Sequence, residues 1–252
     1  MVDRASYFEF TPGVLQGLAC GDVRPCHRPH SRSLTRAKLL RVPQNAVLRV
    51  GDHELSAESG EPANAQTVPF DFLILATGSS YPAPIKPSGS ESVRLRHACT
   101  MRAHIADSFA SQDATQRAAD VAKSSAELAA ARDVLIIGGG VVGVEFAAEI
   151  ATRQKQVRVT VADVAPRLLA TLPPVAGDKA AAMLVKAGVR LLLGAPLTRV
   201  AGGDGVRSEY STPGGDAVAA DVVYMCVGAR PNSGCFQSSV ALDARGCVPC
   251  TC

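Results

Sequence analysis

Residues Gly138 to Gly143 form a glycine-rich segment that joins a short apolar run directly to a helical pattern. The run Val134 to Ile137 has the β-branched, apolar character of a buried strand, and Val141 to Arg153 is expected to be a helix. A buried strand that turns at once into a helix is the first half of a βαβ unit. The segment therefore predicts a parallel sheet with helices packed on it.

The alternation of short β-branched runs with longer helical patterns continues from residue 133 to residue 228. It predicts a β-α-β-α-β order, then an antiparallel meander and a final strand, so the expected fold class is α/β. The remaining predicted elements of this region are a strand at Val157 to Ala162, a helix near Val175 to Lys186, a strand at Val189 to Leu193, meander strands at Leu197 to Val200, Val206 to Tyr210 and Ala217 to Ala219, and a last strand at Asp221 to Val227.

The region before residue 133 carries weaker patterns. Ala46 to Val50 and Phe70 to Ala76 are predicted to be strands, and Gly60 to Pro69 is predicted to be a loop. Residues 102–131 are rich in alanine and lack proline and glycine, which predicts a helix leading into the glycine-rich segment. We place an inner domain boundary near residue 100.

The spacing Gly138-Gly139-Gly140-Val141-Val142-Gly143 fits the pattern G-x-G-x-x-G. In that pattern the first glycine allows a tight turn, the second lets the backbone approach a pyrophosphate, and the third lets the helix pack closely on the strand. The free N–H groups at the start of the helix then bind the phosphates. In the order strand, turn and helix, the motif predicts a dinucleotide site; a glycine turn without a ligand is the alternative.

An acidic residue stands where such a site needs one. Asp163 ends the next predicted strand, 25 residues after Gly138. There a carboxylate can accept hydrogen bonds from the 2′-hydroxyl of a ribose, and it repels a 2′-phosphate. The sequence therefore favours NADH over NADPH, with nearby Arg167 as a group that would soften the preference.

An internal repeat relates the two halves of the sequence. Asp71 to Gly78 and Asp221 to Gly228 each contain an acidic residue, an apolar run and a glycine seven positions on, followed by a proline. The two copies begin 150 residues apart, since 221 minus 71 is 150. If each copy closes a dinucleotide-binding unit, the glycine turn of the first unit falls about 150 residues before Gly138, ahead of Met1. We therefore expect the chain to lack the opening βα turn of that unit.

Composition and charge exclude several classes of protein. Of the 252 residues, 47% are hydrophobic, enough for a buried core, and the net charge of +3 is too small for general nucleic-acid binding. The longest apolar run, Val134 to Val144, is too short to span a membrane. The start has no export signal, so the eight cysteines are expected to be free thiols inside the cell, in the cytoplasm or mitochondria. Neither a nucleophile elbow nor a Walker lysine is present, which excludes hydrolases and NTPases of those types.

Three segments together resemble a known family: Gly138 to Glu149, Ala76-Thr77-Gly78, and Val227 to Asn232. They are similar to segments of the pyridine-nucleotide-dependent flavoprotein reductases, which have two dinucleotide-binding domains. Within that family, the opening stretch Asp3 to Leu15 most resembles the type II NADH dehydrogenases and the apoptosis-inducing-factor-like, ferroptosis-suppressor-like quinone reductases.

The resemblance implies an FAD-binding α/β domain interrupted by a Rossmann-type NAD(P)-binding domain. The first part of the FAD domain would be residues 1–100, the NAD(P) domain residues 101–235, and the return to the FAD domain residues 236–252. The resemblance also implies an oxidoreductase in which hydride passes from NADH to FAD and then to a quinone-like acceptor.

The resemblance further assigns roles to single residues. Asp3 would hold the ribose of FAD, and the backbone of Ala76-Thr77-Gly78 would pass close to the flavin nucleotide. Glu145, the candidate catalytic residue, matches a glutamate that faces the nicotinamide, and Gly228 would lie beside the bound NADH. A solvated helix face is the alternative for Glu145, and a surface acid is the alternative for Asp3.

Alternative functions follow from what the sequence lacks. Family members have an FAD fingerprint at their start and a later Gly-Asp motif, and both are absent from this sequence. We therefore expect a chain truncated at both ends. The second hypothesis for its function is a flavin-free NADH-binding module or sensor. A disulfide reductase would need a redox pair from Cys20 and Cys26, whose spacing differs from that of such pairs. A metal site would need Cys26, His27 and His30, which do not have an established zinc spacing.

The segment from Arg24 to Arg41 contains six Arg or Lys side chains and no acidic residue. It predicts peripheral contact with anionic lipid headgroups, which would suit an enzyme that meets a membrane quinone. A solvated loop is the alternative, because the prolines in the segment break any continuous basic helix.

Overall fold

The computed structural model describes residues 2–3, 7–22, 27–29, 40–41, 47–59, 61–80, 114–200, 207–228, 230–233 and 240–249. The helices of these residues are α1 (Thr11–Cys20), α2 (Ala114–Ala130), α3 (Val141–Arg153) and α4 (Pro174–Lys186). Their strands are β1 (Val2–Asp3), β2 (Tyr7–Glu9), β3 (His27–Pro29), β4 (Leu40–Arg41), β5 (Val47–Val50), β6 (Glu54–Ser59), β7 (Glu61–Pro69), β8 (Ser79–Ser80), β9 (Asp133–Ile137), β10 (Arg158–Asp163), β11 (Arg190–Leu193), β12 (Thr198–Arg199), β13 (Ser208–Ser211), β14 (Ala217–Ala220), β15 (Val222–Met225) and β16 (Arg230–Pro231). None of these helices has the length and apolar character needed to cross a membrane.

A four-stranded parallel sheet, in the order β11-β10-β9-β15, forms the centre of the fold. In β9, Val134 lies opposite Val159 of β10 on one side and Val222 of β15 on the other. The crossovers are α3, between β9 and β10, and α4, between β10 and β11. This arrangement confirms the α/β class and the predicted β-α-β-α-β order, because parallel neighbours need crossovers of that length.

The two faces of the sheet are covered by different layers. Ile136 and Val161 belong to the cluster formed with the helices. Leu135 and Ala162, each one position away, belong to a second cluster that includes Tyr210 of the antiparallel meander β12-β13-β14. Since successive side chains of a strand point to opposite faces, the two cores share one sheet.

Helix α1, which comes from the opening segment, is part of the helical core. Val14 and Leu18 are fully buried in the cluster that also contains Leu128 of α2 and Phe146 of α3. The side-chain amide of Gln154, just after α3, donates a hydrogen bond of 2.9 Å to the carbonyl oxygen at the end of α1. The opening segment and the glycine-rich unit therefore share one hydrophobic core.

A buried polar cluster joins the same two parts of the chain. Nε of Arg117, a fully buried residue of α2, donates to Oε2 of Glu9 at 2.8 Å, and Nε2 of His27 lies 3.0 Å from the same oxygen. A buried ion pair is tolerated when its partners satisfy each other in this way. The cluster ties the β2–β3 hairpin to α2.

An ion-pair network holds the starts of the parallel strands together. Asp133 of β9 pairs with Arg158 of β10 at 2.7 Å and also with Arg207. Asp221, just before β15, accepts hydrogen bonds of 2.8 and 2.9 Å from the N–H groups of Arg132 and Asp133. The hydrogen bonds from Arg158 lower the pKa of Asp133, and the N–H group of Asp133 lowers the pKa of Asp221. The acid of the second repeat copy thus joins β15 to β9.

The predictions for the glycine-rich region agree closely with the structure. Helix α3 has the predicted bounds; β9, β11 and α4 differ from prediction by one residue at one end, and β10 by one residue at each end. The meander is antiparallel as predicted. Helix α2 covers the later part of the helix expected at residues 102–131, while 102–113 lie outside the described residues, as does the boundary expected near residue 100.

Two predictions for the earlier region are wrong. The segment Phe70 to Ala76 is not a strand; Phe72 and Ile74 are 94% and 87% exposed, and no strand pairs with the segment in the part of the chain that the structure describes. An apolar run forms a strand only where its backbone N–H and C=O groups find partners. Residues 61–69, expected as a loop, form β7, because antiparallel pairing with β6 outweighs their polar composition.

Candidate functional site

The glycine-rich turn lies at the carboxyl end of β9, in the middle of the parallel sheet. The ends of β10 and β15 flank it, so Asp163 and the segment after Met225 lie beside it at the same edge of the sheet. Ligands of open α/β sheets bind outside the carboxyl ends of the strands, next to such a turn. The structure therefore brings the predicted glycines, Asp163 and the approach to Gly228 to one edge.

Two of the glycines are required by close backbone contacts. Gly138 has φ +118°, and a Cβ atom there would lie 2.5 Å from the carbonyl oxygen of Cys226. A Cβ atom at Gly143 would collide with the carbonyl oxygen of Gly138. The first glycine therefore permits the turn, and the last one permits α3 to approach β9, as the sequence predicts.

Gly140 is different because nothing around it excludes a side chain. A Cβ atom there would have no neighbour within 4 Å, so the space faces out of the protein. Gly140 is also the N-cap of α3, and no side chain caps that helix. The first hydrogen bond of the helix runs from Val144 to Gly140, which leaves the N–H groups of Val141 and Val142 without helical acceptors. An open cradle lined by such N–H groups fits a pyrophosphate.

Asp163 lies beside the turn and also holds it in place. Its Oδ2 accepts a hydrogen bond from the N–H group of Gly139, and its Oδ1 accepts one of 2.8 Å from the N–H group of Ala165. Each carboxylate oxygen can accept more than one hydrogen bond, so both remain able to bind a ribose hydroxyl. The structural part of this role was not predicted from the sequence.

Arg167 has a different environment from the one expected. Its guanidinium group donates hydrogen bonds to the carbonyl oxygens of Leu172, at 3.0 Å, and Ala170, at 2.8 Å. These bonds close the loop between β10 and α4. In this structure the side chain supports the loop, and its contacts lend no support to a softened NADH preference.

The same loop also supports Gly139, the middle residue of Gly138-Gly139-Gly140, through a contact that we call the brace. The N–H group of Leu169 donates a hydrogen bond of 2.8 Å to the carbonyl oxygen of Gly139, and Leu168 is fully buried beneath that glycine. Leu169 has φ +50°, the one positive value among the described residues other than glycine. Such a conformation is strained for leucine and persists because the surrounding contacts hold it. No pattern in the sequence indicates this contact.

Glu145 lies one turn into α3 and is exposed. Within the described ranges it has no hydrogen-bond or ion-pair partner, whereas Glu149, one turn on, pairs with Arg153 at 2.7 Å. The exposed position agrees with a solvated helix face and with a carboxylate left free for a ligand. Its assignment to the nicotinamide stays a prediction.

The ends of the two repeat copies meet in the structure. Strand β8, which follows Gly78, pairs antiparallel with β16, which follows Gly228, and both glycines have φ +67°. Asn232 donates from its backbone N–H group to the carbonyl oxygen of Gly78 and from Nδ2 to that of Thr77, both at 3.0 Å. Ala76 and Thr77 are exposed. The segments expected beside flavin and beside NADH are thus joined directly, and Asn232 had no predicted role.

The described residues include only some of the other candidates. Asp3 lies in β1, in register with Arg41 of β4. Burial raises the pKa of the Cys226 thiol to about 12, so it is not a reactive thiolate. Cys26 and His30 lie outside the described residues, and those that are described contain no cluster of His, Cys, Asp and Glu suited to a metal.

Comparisons with known proteins agree with this geometry. A family model described as pyridine nucleotide-disulphide oxidoreductase matches residues 19–251. The rubredoxin-NAD(+) reductase of Pseudomonas putida is 30% identical over 75% of the chain, and ferroptosis suppressor protein 1 of Mus musculus is 29% identical over 69%. The chain spans only 43% and 42% of those two relatives. The water-forming NADH oxidase from Lactobacillus brevis superimposes with a TM-score of 0.65 at 16% identity, over 97% of this chain and 51% of the oxidase, which supports the fold alone.

Proposed function

The chain belongs to the pyridine nucleotide-disulphide oxidoreductase family, and we propose on that basis that it takes part in the transfer of hydride from NADH, through FAD, to a quinone-like acceptor. The family consists of flavoprotein reductases that use NAD(P)H. The preference for NADH, the bound FAD and the acceptor are our proposals for this chain.

The dinucleotide site carries the proposal. Gly140 opens onto free space at the uncapped start of α3, where N–H groups are left to bind a pyrophosphate. Gly138 and Gly143 have the contacts that the G-x-G-x-x-G pattern requires. A glycine turn that served packing alone would have no need of an open position at Gly140.

The preference for NADH rests on Asp163. Its carboxylate lies against the turn, where a ribose 2′-hydroxyl would donate to it and a 2′-phosphate would be repelled. The guanidinium group of Arg167, the nearby cation, donates hydrogen bonds to two loop carbonyl oxygens. Fewer of its N–H groups are therefore left to bind a 2′-phosphate. Both observations favour the unphosphorylated coenzyme.

The flavin is proposed to lie against Ala76, Thr77 and Gly78, whose exposed backbone and left-handed glycine fit a close approach by a nucleotide. Once bound, it would supply the redox chemistry, taking up hydride and releasing electrons to the acceptor. Glu145 is proposed to face the nicotinamide. Hydrogen bonds between Asn232 and the 77–78 segment hold the two nucleotide sides next to each other.

The quinone-like acceptor rests on the resemblance of the opening stretch. Phe8 and Phe10 in that stretch are 52% and 55% exposed, so apolar rings are available to an apolar acceptor. A small redox protein is the competing acceptor, suggested by the name of the Pseudomonas relative. Location in the cytoplasm or mitochondria, and peripheral membrane contact through Arg24 to Arg41, also remain proposals.

Substitution of Gly140 tests the site directly. Gly140→Val is expected to weaken NADH binding at least about tenfold, because its side chain fills the space meant for the pyrophosphate. The fold should be kept, since a Cβ atom at this position has no protein neighbour within 4 Å. NADH affinity can be measured by calorimetry or by quenching of NADH fluorescence.

The matched control is Gly214→Val, at a glycine in the meander that has comparable room and no positive φ. It is expected to leave NADH affinity unchanged. Equal affinity of the Gly140 variant and the control would remove the turn from the site and refute the proposal.

The flavin part has its own experiment. The chain is purified with added FAD, and its visible spectrum is recorded before and after NADH and again after a quinone. Loss of the flavin band with NADH and its return with the quinone are expected. A colourless protein that still binds NADH would instead support the alternative, a flavin-free NADH-binding module.

A further inference from the structure

A series of contacts leads from the glycine-rich turn toward the flavin side of the molecule. A Cβ atom added to Gly138 would lie 2.5 Å from the carbonyl oxygen of Cys226 and 3.3 Å from Cγ1 of Val227. The turn is therefore in contact with this segment. Val227 is 46% exposed, just beyond the carboxyl end of β15. A dinucleotide resting on the turn would border the segment that continues through Gly228 to Asn232.

Asn232 connects that segment to the first repeat copy. Its backbone N–H group donates to the carbonyl oxygen of Gly78, and Nδ2 donates to that of Thr77, each at 3.0 Å. The side-chain bond joins positions 155 residues apart. Together with the backbone bond, it extends the connection beyond the β8–β16 pairing to the exposed backbone that is proposed to border flavin.

The described connection between the two repeat copies contains little secondary structure. Among the described residues, the β8–β16 ribbon consists of two pairs, Ser80 with Arg230 and Ser79 with Pro231. Gly78 and Gly228 precede its two strands with the same left-handed φ of +67°. Elements with few buried contacts open locally at little cost, and a ligand that contacts one conformation shifts the balance toward it.

We propose that Asn232 is a positioning residue that couples the two nucleotide sides. NADH bound on the turn favours the closed ribbon, and the Asn232 side chain carries that closure to the backbone of Thr77 and Gly78. The inference rests on the proposed NADH site. Its consequence is that the flavin-side backbone becomes more ordered when the reductant is bound.

Amide hydrogen exchange with and without NADH tests the coupling, and it does not depend on flavin. In the wild type, NADH is expected to slow exchange in residues 76–80 about fivefold, at the lower end of typical couplings between sites. In Asn232→Asp the slowing is expected to disappear, because a carboxylate cannot donate to the Thr77 carbonyl oxygen. NADH should still bind to the variant, since the turn and Asp163 are unchanged.

The control is Asn64→Asp, which makes the same chemical change in β7 and should keep the wild-type slowing. Thermal unfolding establishes whether each variant is folded. If Asn232→Asp does not fold, Asn232→Ser replaces it, because the serine side chain is shorter than that of asparagine and lacks the amide donor. Unchanged exchange at 76–80 in the wild type with NADH, or slowing retained in the Asn232 variant, would overturn the coupling alone. A wild type that does not bind NADH would overturn the proposed function and the coupling with it.

Discussion

At the scale of single residues, Asp163 combines two tasks that are usually considered separately. Its carboxylate accepts hydrogen bonds from the N–H groups of Gly139 and Ala165, and it is also the group that we propose to bind the ribose. The first task shapes the turn, and the second is proposed to select the coenzyme. Its substitution should therefore change both stability and specificity.

We expect Asp163→Ala to weaken NADH binding more than NADPH binding, because the contact with the 2′-hydroxyl is lost while the repulsion of a 2′-phosphate is relieved. The free energy of unfolding should also fall by about 1–3 kcal/mol, the cost of leaving backbone donors without a partner. Coenzyme affinities measured by titration and stability measured by urea unfolding separate the two effects.

Asp178→Ala, at an exposed acidic residue of α4, is the control and should change neither quantity. If NADH and NADPH lose affinity by the same factor in the Asp163 variant, the carboxylate has no part in coenzyme selection. Its role would then be confined to the turn.

At the scale of elements, the parallel strands are held at their starts by charge and at their ends by the glycine turn. Asp221 bonds to the N–H groups that open β9, and Arg207 lies 2.9 Å from its other oxygen. The pKa of Asp221 is lowered, mainly by the hydrogen bond from the N–H group of Asp133. A lowered pKa in the folded state means that the ionised carboxylate stabilises the fold.

The stabilisation by Asp221 should be fully present above the pKa of an unfolded aspartate, about 3.9, and be lost as the pH falls through the lower value of the folded state. Asp221→Asn is therefore expected to reduce stability by about 1–2 kcal/mol at neutral pH. The difference from the wild type should shrink below about pH 4, as urea unfolding at several pH values would show. Asp52→Asn, at an exposed turn, is the control and should have the stability of the wild type at every pH. If Asp221→Asn were less stable than the wild type by the same amount at all pH values, the carboxylate charge would be ruled out as the cause.

Elements with strong local signals could be predicted, and those that depend on distant partners could not. The bounds of α3 follow from the glycine turn at its start, and its strand neighbours follow from β-branched runs. Helix α1 was not predicted, although Pro12 near its start and the left-handed Gly21 after its end are the usual boundary signals. The β6–β7 pairing had no comparable local signal, because its polar residues become a strand only through the neighbour.

At the scale of the whole molecule, the opening segment and the glycine-rich unit are not independent. Leu18 of α1 is fully buried with Phe146 and Ile150 of α3. The sequence suggested separate domains with a boundary near residue 100, a division that remains a prediction. The shared core could not be read from the sequence, because Leu18 of α1 lies 110 residues before its partner Leu128 of α2, since 128 minus 18 is 110.

We expect Leu18→Ala to lower the free energy of unfolding by about 2–5 kcal/mol, because it opens a cavity in that shared core. NADH binding should weaken at temperatures where the variant begins to unfold, since the loss reaches α3. Met183→Ala, at a position that is 73% exposed on α4, should cost less than about 0.5 kcal/mol. If urea unfolding showed that Leu18→Ala lowers the free energy of unfolding by a similarly small amount, α1 would not contribute to the core.

The candidate site itself could be predicted in part. The glycines and Asp163 follow from a pattern with fixed spacing, and the structure brings them to one edge of the sheet. The brace at Leu169 and the bonds of Asn232 depend on backbone conformation and on contacts between distant segments. No local pattern encodes either feature.

The brace also bears on how fast a coenzyme can associate. Both backbone groups of Gly139 are bonded within the protein, the N–H group to Asp163 and the carbonyl oxygen to Leu169. The conformational entropy of this corner is therefore lost when the chain folds, and a diphosphate at the proposed site would meet amides that need no rearrangement. Capture of the coenzyme should then be limited by diffusion and orientation, with no slow closing step at the turn.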